Sequence, residues 1–187
     1  MPDPWAAARK LVMEFGRDAA GDLLPEEHVF FGRQNRMALP SGTEEYAVVS
    51  FMSAETVGKP FARYKRDTDA EKVFSHWKAE FQADFCSSFP AAALARASRF
   101  SAMCEAGLGS ALLAGTGVNA IGVSGVTDAS GYVDAEQFVI RSRVRLTLEY
   151  DSDYEIPVES ADSLEVKSSA PEGRYFENVD VHHPSKE

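Results

Sequence analysis

The chain has 187 residues, of which 44% are apolar and 11% aromatic, and its formal net charge is −10. This length fits one domain with extensions, and the apolar content is enough for one sizeable core. The charge is uneven, because residues 151–187 hold ten acidic side chains and three basic ones. An acidic excess argues against a dedicated nucleic-acid binder, since each phosphate contact needs a cation.

The cysteines and the hydropathy of the chain indicate the cellular compartment in which the protein folds. Cys86 and Cys104 are 18 residues apart without CxxC spacing. Two buried free thiols in a cytosolic chain are the favoured interpretation, and a disulfide is the alternative. The N-terminal residues lack the pattern of a signal peptide, and no apolar run approaches the roughly 20 residues that a bilayer crossing needs. We therefore expect a soluble protein that no signal peptide exports.

The N-terminal part predicts a helix and two strands. Asp3 can cap a helix that starts at Pro4 and ends at Gly16. Its apolar face comprises Trp5, Ala8, Leu11, Val12 and Phe15. Residues 28–33 are predicted to form a first strand. Residues 46–54 are apolar on both faces, which predicts a central strand covered on each side.

Residues 55–73 form a long excursion that we predict to be an extended hairpin arm or a loop. Gly58 and Pro60 interrupt it. A loop of this length in a compact domain is usually either functional or disordered. Its basic cluster consists of Lys59, Arg63, Lys65 and Arg66.

Two segments, residues 77–85 and 138–150, alternate strictly between apolar and polar side chains. This period of two predicts an antiparallel sheet with one buried and one polar face. The polar face of the second segment carries a row of three arginines: Arg141, Arg143 and Arg145. A cross-strand ladder with Glu80 and Asp84, or pairing across a subunit boundary, is favoured over contact with DNA.

A helix is predicted over residues 90–106, with Ser88 as its cap. It would cover the apolar face of the sheet and leave Arg96 and Arg99 in water. Its predicted apolar side comprises Leu94, Ala97, Phe100, Met103 and Cys104.

The glycine-rich segment 107–125 is predicted to contain turns and an irregular strand. Its sequence from Gly115 to Ala120 fits GxGxxA, but a dinucleotide site needs a strand before this motif and a helix after it.

The histidines lack metal-ligand spacing. The acid pairs Glu44–Glu45 and Asp151/Asp153 are predicted to be solvated at turns. We therefore predict no catalytic, cofactor-binding or metal-binding residue.

These elements predict an α+β fold, a mostly antiparallel β-sheet with helices packed on one face, plus a long arm and an acidic C-terminal extension. Residues 1–156 would form the domain. Residues 157–187 have too few apolar side chains for their own core, and we expect them to be ordered on a neighbouring chain. Their anchors would be Tyr175, Phe176, Val179 and Val181.

The order of these segments resembles the phage neck and tail terminator (tail completion) proteins over approximately residues 5–155. The resemblance rests on the polar strand end Gln34–Arg36, the Pro40 turn, the strand Tyr46–Met52, the alternating strand that ends at Phe85, the following helix, and the strand that ends at Leu148–Tyr150. Members of this family are not enzymes. They form rings, commonly hexameric, that close the head-proximal end of a phage tail.

The resemblance implies a structural virion protein of the neck, assembled in the host cytoplasm as a homo-oligomeric ring that is expected to be a hexamer. Its expected partners are the tail tube and the neck or connector proteins, with the sheath as a further candidate. DNA would pass through the lumen without specific binding, and no cofactor or membrane is implied. The alternatives are another neck, head-completion or tail tube ring protein, and a nucleotide-binding enzyme domain that uses residues 107–125. Interface candidates are Lys59, Arg63, Lys65, Arg66, Arg141, Arg143, Arg145, Tyr175 and Phe176.

Overall fold

The computed structural model describes residues 2–18, 20–32, 45–65, 70–133 and 137–157. In these ranges the chain forms three α-helices and eight strands, and the predicted α+β class is confirmed. The helices are α1 Pro4–Phe15, α2 Pro90–Glu105 and α3 Leu108–Leu112. The strands are β1 Val29–Phe31, β2 Tyr46–Thr56, β3 Phe61–Lys65, β4 Ala70–Ser87, β5 Val118–Val123, β6 Thr127–Asp128, β7 Gly131–Val133 and β8 Gln137–Pro157.

Several sequence predictions fall outside the described residues. They concern the strand end Gln34–Arg36, the Pro40 turn, Arg66, and the C-terminal extension with Tyr175 and Phe176. These remain predictions.

The described strands form one sheet in the order β1-β2-β4-β8-β5, in which β3 extends the edge beside β4, and β6 and β7 extend the edge beside β8. Only the short β1–β2 pair is parallel among the described pairs. β2 lies between β1 and β4, so the prediction of a central strand is confirmed. Its second half, from Met52 onward, is exposed rather than covered.

β4 and β8 form the long axis of the sheet. They pair without a register break from Ala70 opposite Pro157 to Ser87 opposite Ile140. β4 has 18 residues and β8 has 21. At about 3.3 Å per residue, this ribbon is roughly 60 Å long. The 16 residues of α2 span only about 24 Å.

The helices pack on one face of the middle of this ribbon. α1 begins as predicted, because Asp3 Oδ1 accepts hydrogen bonds from the N–H groups of Trp5 and Ala6 at 3.0 Å. Gly16 ends the helix. A Cβ at Gly16 would lie 2.5 Å from the Phe85 ring, so glycine allows the chain to pass close to the core. The largest fully buried side chains of the core are Phe81, Phe85, Phe100, Leu11, Leu24, Leu113, Leu146 and Leu148.

α2 differs from the prediction in its N-cap residue and in which of its side chains are buried. Phe89, not Ser88, occupies the N-cap position, and the Ser87 hydroxyl accepts the Phe89 N–H at 3.1 Å. Leu94 was predicted on the buried side but is 52% exposed. Arg96 was predicted in water but is 5% exposed. Compared with the prediction, the helix is rotated about its axis, because Arg96 and not Leu94 faces the interior.

Arg96 connects three separate parts of the chain. Its Nε donates to Glu45 Oε2 at 2.6 Å, and its second terminal nitrogen forms an ion pair with the same carboxylate. The other terminal nitrogen donates to the carbonyl oxygens of Gly16 at 2.7 Å and Asp22 at 3.2 Å. Asp18 Oδ2 lies 3.7 Å from Arg96 Nη2. Glu45, predicted to be solvated, is instead the partner of a buried guanidinium that needs several acceptors.

The polar face of the sheet is also less exposed than alternation predicts. Gln82 is 9% and Asp84 4% exposed. A second apolar cluster on this side consists of Tyr46, Cys86 and Val139, with Phe30 and Val48 packed against it. A face predicted to be wholly polar therefore has a small core of its own.

The glycine-rich segment contains a short helix that the sequence did not predict, α3, followed by the predicted irregular strand, β5. Gly115 and Gly117 adopt positive φ angles of 82° and 74° in the turn between them. These angles favour glycine, which supports the prediction that the glycines form turns.

We expect Arg96→Met to lower the free energy of unfolding by roughly 3 kcal/mol, because it leaves the partly buried Glu45 carboxylate and two carbonyl oxygens without their donor. Urea denaturation measures this change. Arg99→Met is the matched control on the exposed side of α2 and should change stability by less than about 0.5 kcal/mol. Equal effects of the two substitutions would contradict this account.

Candidate interaction surfaces

A three-stranded arm extends beyond the helix layer. It consists of β3, residues 70–76 of β4 and residues 151–157 of β8. The excursion predicted as a hairpin arm or a loop is therefore a hairpin arm, and part of it belongs to the strands that form the centre of the sheet. Arg63 lies on this arm and Lys59 lies just before it, and both are exposed.

One face of the arm is charged. Arg63 lies directly opposite Lys72, and Lys72 forms an ion pair with Asp153. The hydrogen bond from Lys72 lowers the pKa of the Asp153 carboxyl. The Phe61 and Phe74 rings stack on this side, with their centroids 4.9 Å apart. The register also places Glu155 opposite Lys72, so this face of the arm carries both cations and carboxylates.

The other face of the arm exposes three large apolar side chains, with Glu71 between two of them. Tyr64 and Ile156 flank Glu71 across the sheet, while Tyr154 lies opposite Val73, so these side chains share one face. Tyr64 is 53%, Tyr154 52% and Ile156 44% exposed. We call Tyr64, Tyr154 and Ile156 the arm patch. It continues the same side of β8 that is buried under the helices farther along.

A second uncovered apolar area lies at the opposite end of the sheet. A groove of about 450 Å³ runs between the start of α2 and the outer strands, and we call it the end groove. Its lining includes Pro90, Leu94, Val126, Asp128, Phe138 and Ile140. Phe138 is 54% exposed, and its ring packs edge-to-face on Tyr132, with centroids 5.2 Å apart.

The arginine row lies on the face away from the helices, and Asp84 binds two of its members. Arg143 donates from Nε and a terminal nitrogen to the two Asp84 oxygens at 2.8 and 3.2 Å. Arg141 lies 3.7 Å from the same carboxylate. The register places Glu80 opposite Thr147 and the exposed Arg145 opposite Gln82. The predicted ladder thus forms around Asp84, and Arg145 is the member most accessible to a partner.

A polar pocket of about 340 Å³ lies where the arm meets the body. His76 Nδ1 is 2.7 Å from Asp151 Oδ1, and His76 Nε2 is 3.6 Å from Glu149 Oε2. The hydrogen bond to Asp151 raises the pKa of His76. Asp151 and Asp153, predicted at turns, lie within β8 and bind cations of β4.

The pocket geometry does not favour nucleotide binding. Gly115 and Gly117 line it, but α3 precedes this GxGxxA motif and β5 follows it, the reverse of the order in a dinucleotide site. Glu149 and Asp151 also line the pocket, and their carboxylates would repel phosphate.

Metal binding and thiol chemistry find little support in the described ranges. No group of three or more His, Cys, Asp or Glu side chains there is placed to hold a metal ion. Both cysteines are free thiols; Cys86 is buried as predicted, whereas Cys104 is only partly buried. Burial raises the pKa of Cys86 to about 11 and that of Cys104 to about 12, so both are protonated, weak nucleophiles at neutral pH. No described helix is long and apolar enough to cross a membrane.

Neither the arm patch nor the end groove is predicted from the sequence. The second alternating segment was predicted only as far as Tyr150, although the period of two continues through Ser152, Tyr154 and Ile156. That continuation was the signal for the arm patch. The end groove had no comparable signal, because it forms from the start of α2 and strands far from it in sequence.

The family model described as phage neck terminator protein matches residues 6–172. No curated protein matches the chain.

We expect the pKa of His76 to lie above its usual value of about 6.5, and Asp151→Asn to lower it. Because the folded-state pKa is raised, the stabilisation from protonated His76 is complete below the unfolded-state pKa and is lost as the pH rises through the folded-state pKa. An NMR titration of the imidazole measures the shift, with His76→Gln to assign the signal. If the pKa of His76 is the same in the Asp151→Asn variant as in the wild type, the hydrogen bond to Asp151 is not what raises it.

Proposed function

The chain belongs to the phage neck terminator protein family, and on this premise we propose that it forms a homo-oligomeric ring that closes the head-proximal end of the phage tail tube. The family is one of structural proteins, and membership places the protein in the neck or tail region of the virion. The finer proposal is that six copies form the ring and join the tube to the neck or connector. Assembly would take place in the host cytoplasm.

The observation that carries this proposal is the uncovered arm. A protruding sheet whose exposed face bears two tyrosines and an isoleucine is typical of a surface that becomes buried in an assembly. Rings also require partner selection, which the charged face of the arm and the arginine row can supply. The sheath, the tube and the connector are the candidate partners beyond the protein itself.

The proposed role is structural, not enzymatic. The polar pocket where the arm meets the body contains His76, which is already paired with Glu149 and Asp151. Such pairing holds the arm against the body. A nucleotide-binding enzyme remains the less supported alternative, since the glycine motif lies in the wrong order of elements.

DNA is proposed to pass through the lumen without specific binding. The net charge of −10 offers few uncompensated cations for phosphate, and Asp84 binds Arg141 and Arg143. A lumen with little affinity for phosphate would let the genome move through it.

The first experiment is to measure the mass of the purified protein in solution by light scattering, with negative-stain imaging of the same fraction. We expect a ring of about six subunits, since cyclic closure satisfies every subunit equally. In parallel, a phage that lacks this protein should produce tails that fail to join heads. Normal, head-joined tails in its absence would refute the proposed function.

The basic cluster of the arm provides a second test. We expect replacement of Lys59, Arg63, Lys65 and Arg66 by Ser to leave the stability of the monomer nearly unchanged, because the two described members, Lys59 and Arg63, are exposed and such charges contribute little to folding. Ring formation should be impaired, and the loss should resemble the effect of high salt on the wild type. Urea denaturation and light scattering measure the two effects. An intact ring after this change would count against a role for the cluster.

A further inference from the structure

The cations of the arm are neutralised unevenly. Lys72 in β4 forms an ion pair with Asp153, and Glu155 lies opposite Lys72 on the neighbouring strand. Arg63 in β3 and Lys59 just before β3 are exposed, and within the described residues neither side chain forms an ion pair or a hydrogen bond. The outer strand of the arm therefore carries positive charge that the described carboxylates leave uncompensated.

A segment of opposite charge follows the last described strand. Residues 59–66 contain the four cations of the basic cluster and no carboxylate. Residues 158–165, which we call the acidic segment, contain three carboxylates and no cation: Glu159, Asp162 and Glu165. Asp67 and Asp69 also follow the cluster, in the connection between β3 and β4 that lies outside the described residues. The chain thus contains two stretches of eight residues, each with charges of one sign only.

The fold brings the start of the acidic segment close to the basic cluster. β8 ends at Pro157, which lies opposite Ala70, and Ala70 in turn lies opposite Lys65. Two strand spacings, or about 10 Å, therefore separate Pro157 from β3. β3 and β8 are both antiparallel to β4, so both run toward the tip of the arm. A reversal of a few residues after Pro157 would bring the carboxylates along β3, and closing so short a loop costs little entropy.

We propose that the acidic segment folds back onto the basic cluster of its own arm, so that its carboxylates pair with Lys59, Arg63 and the other cations of the cluster. From the sequence alone, a neighbouring chain is the expected support for residues 157–187. The structure adds that these residues start at the tip of the arm, and a partner tethered so closely has an effective concentration in the millimolar range. Exposed ion pairs are individually weak, so the contact is reversible and weakens at high salt.

The contact has a consequence for assembly, which rests on the proposed function. There the basic cluster takes part in ring formation, and the acidic segment competes with the neighbouring subunit for the same cations. A neighbour with a stronger negative potential displaces the segment, whereas a free subunit keeps its cluster covered. The segment therefore restrains association of the arm until the correct partner is present.

Carbodiimide crosslinking of the full chain tests the contact, since this reagent joins carboxylates directly to lysine amines. We expect mass spectrometry to identify crosslinks from Lys59 or Lys65 to the acidic segment. In a mixture of isotope-labelled and unlabelled protein, both halves of each crosslink should come from the same chain. The ion pair between Lys78 and Glu55 provides the reference crosslink. High salt should lower the yield from Lys59 by at least about threefold.

A matched pair of variants separates the cluster from charge in general. Arg63→Gln removes one cation of the cluster and leaves every group that the reagent joins in place. We expect it to lower the yield of crosslinks from Lys59 to the acidic segment by at least about threefold. Arg145→Gln makes the same change at an exposed arginine of the body and should leave this yield unchanged. Circular dichroism and urea denaturation establish that both variants are folded.

Three outcomes would overturn the inference. The first is the absence of crosslinks between the acidic segment and the basic cluster while the reference crosslink forms. The second is a set of crosslinks that always join two different chains, which would instead support the expectation that residues 157–187 are ordered on a neighbour. The third is an equal yield in Arg63→Gln and Arg145→Gln.

The effect on assembly is measured with a full-chain variant that neutralises the acidic segment by Glu159→Gln, Asp162→Asn and Glu165→Gln. We expect it to assemble at a concentration at least about tenfold lower than the wild type, because the competing carboxylates are gone. The control makes an equal change of charge farther along the chain: Glu172→Gln, Glu177→Gln and Asp180→Asn. Sedimentation velocity measures both. Equal assembly of the two variants would refute the restraint.

Failure of this inference can be distinguished from failure of the proposed function. Crosslinks within one chain, combined with normal, head-joined tails in a phage that lacks the protein, would support the contact and refute the neck role. The absence of these crosslinks, combined with tails that fail to join heads, would refute the contact and leave the neck role intact.

Discussion

The pairing of β4 with β8 is the constraint on which the rest of the structure depends. This ribbon is roughly 60 Å long, whereas α2 spans only about 24 Å, so the helix layer cannot cover it. The shared apolar face is nevertheless continuous along β8. Burial in the middle stabilises the monomer, and the uncovered ends provide apolar surface for association. One strand pair thus organises the fold and also carries the exposed apolar side chains at its two ends.

Arg96 makes the body of the domain rigid where the ribbon is covered. Its guanidinium connects α2 to the end of α1 and to Glu45 at the start of β2, segments that are 80 and 51 residues away in sequence. A buried ion pair gains little net stability over apolar packing, but the loss of one partner is severe. Its value lies in specifying a single arrangement of the helices. A fixed body then determines where the end groove lies relative to the arm.

Several titratable groups of the described residues form pairs between neighbouring strands. His76 binds two carboxylates at the root of the arm, Lys72 pairs with Asp153 on the arm itself, and Arg143 binds Asp84 on the far face. Each pair fixes one strand against its neighbour. Both thiols have raised pKa values and do not provide a nucleophile. This arrangement agrees with membership in a family of structural virion proteins.

The local sequence pattern determined several helix ends and strands of this protein. The cap at Asp3, the termination of α1 at Gly16 and the alternation of β4 and β8 are legible in the sequence, because capping and pleating depend on residues close together in the chain. The family resemblance likewise follows from the order of these segments. The burial of Arg96, the exposure of Leu94 and the end groove were decided only by the tertiary structure. An arginine can be buried only where acceptors from distant segments converge, and no local window contains Gly16, Glu45 and Arg96 together.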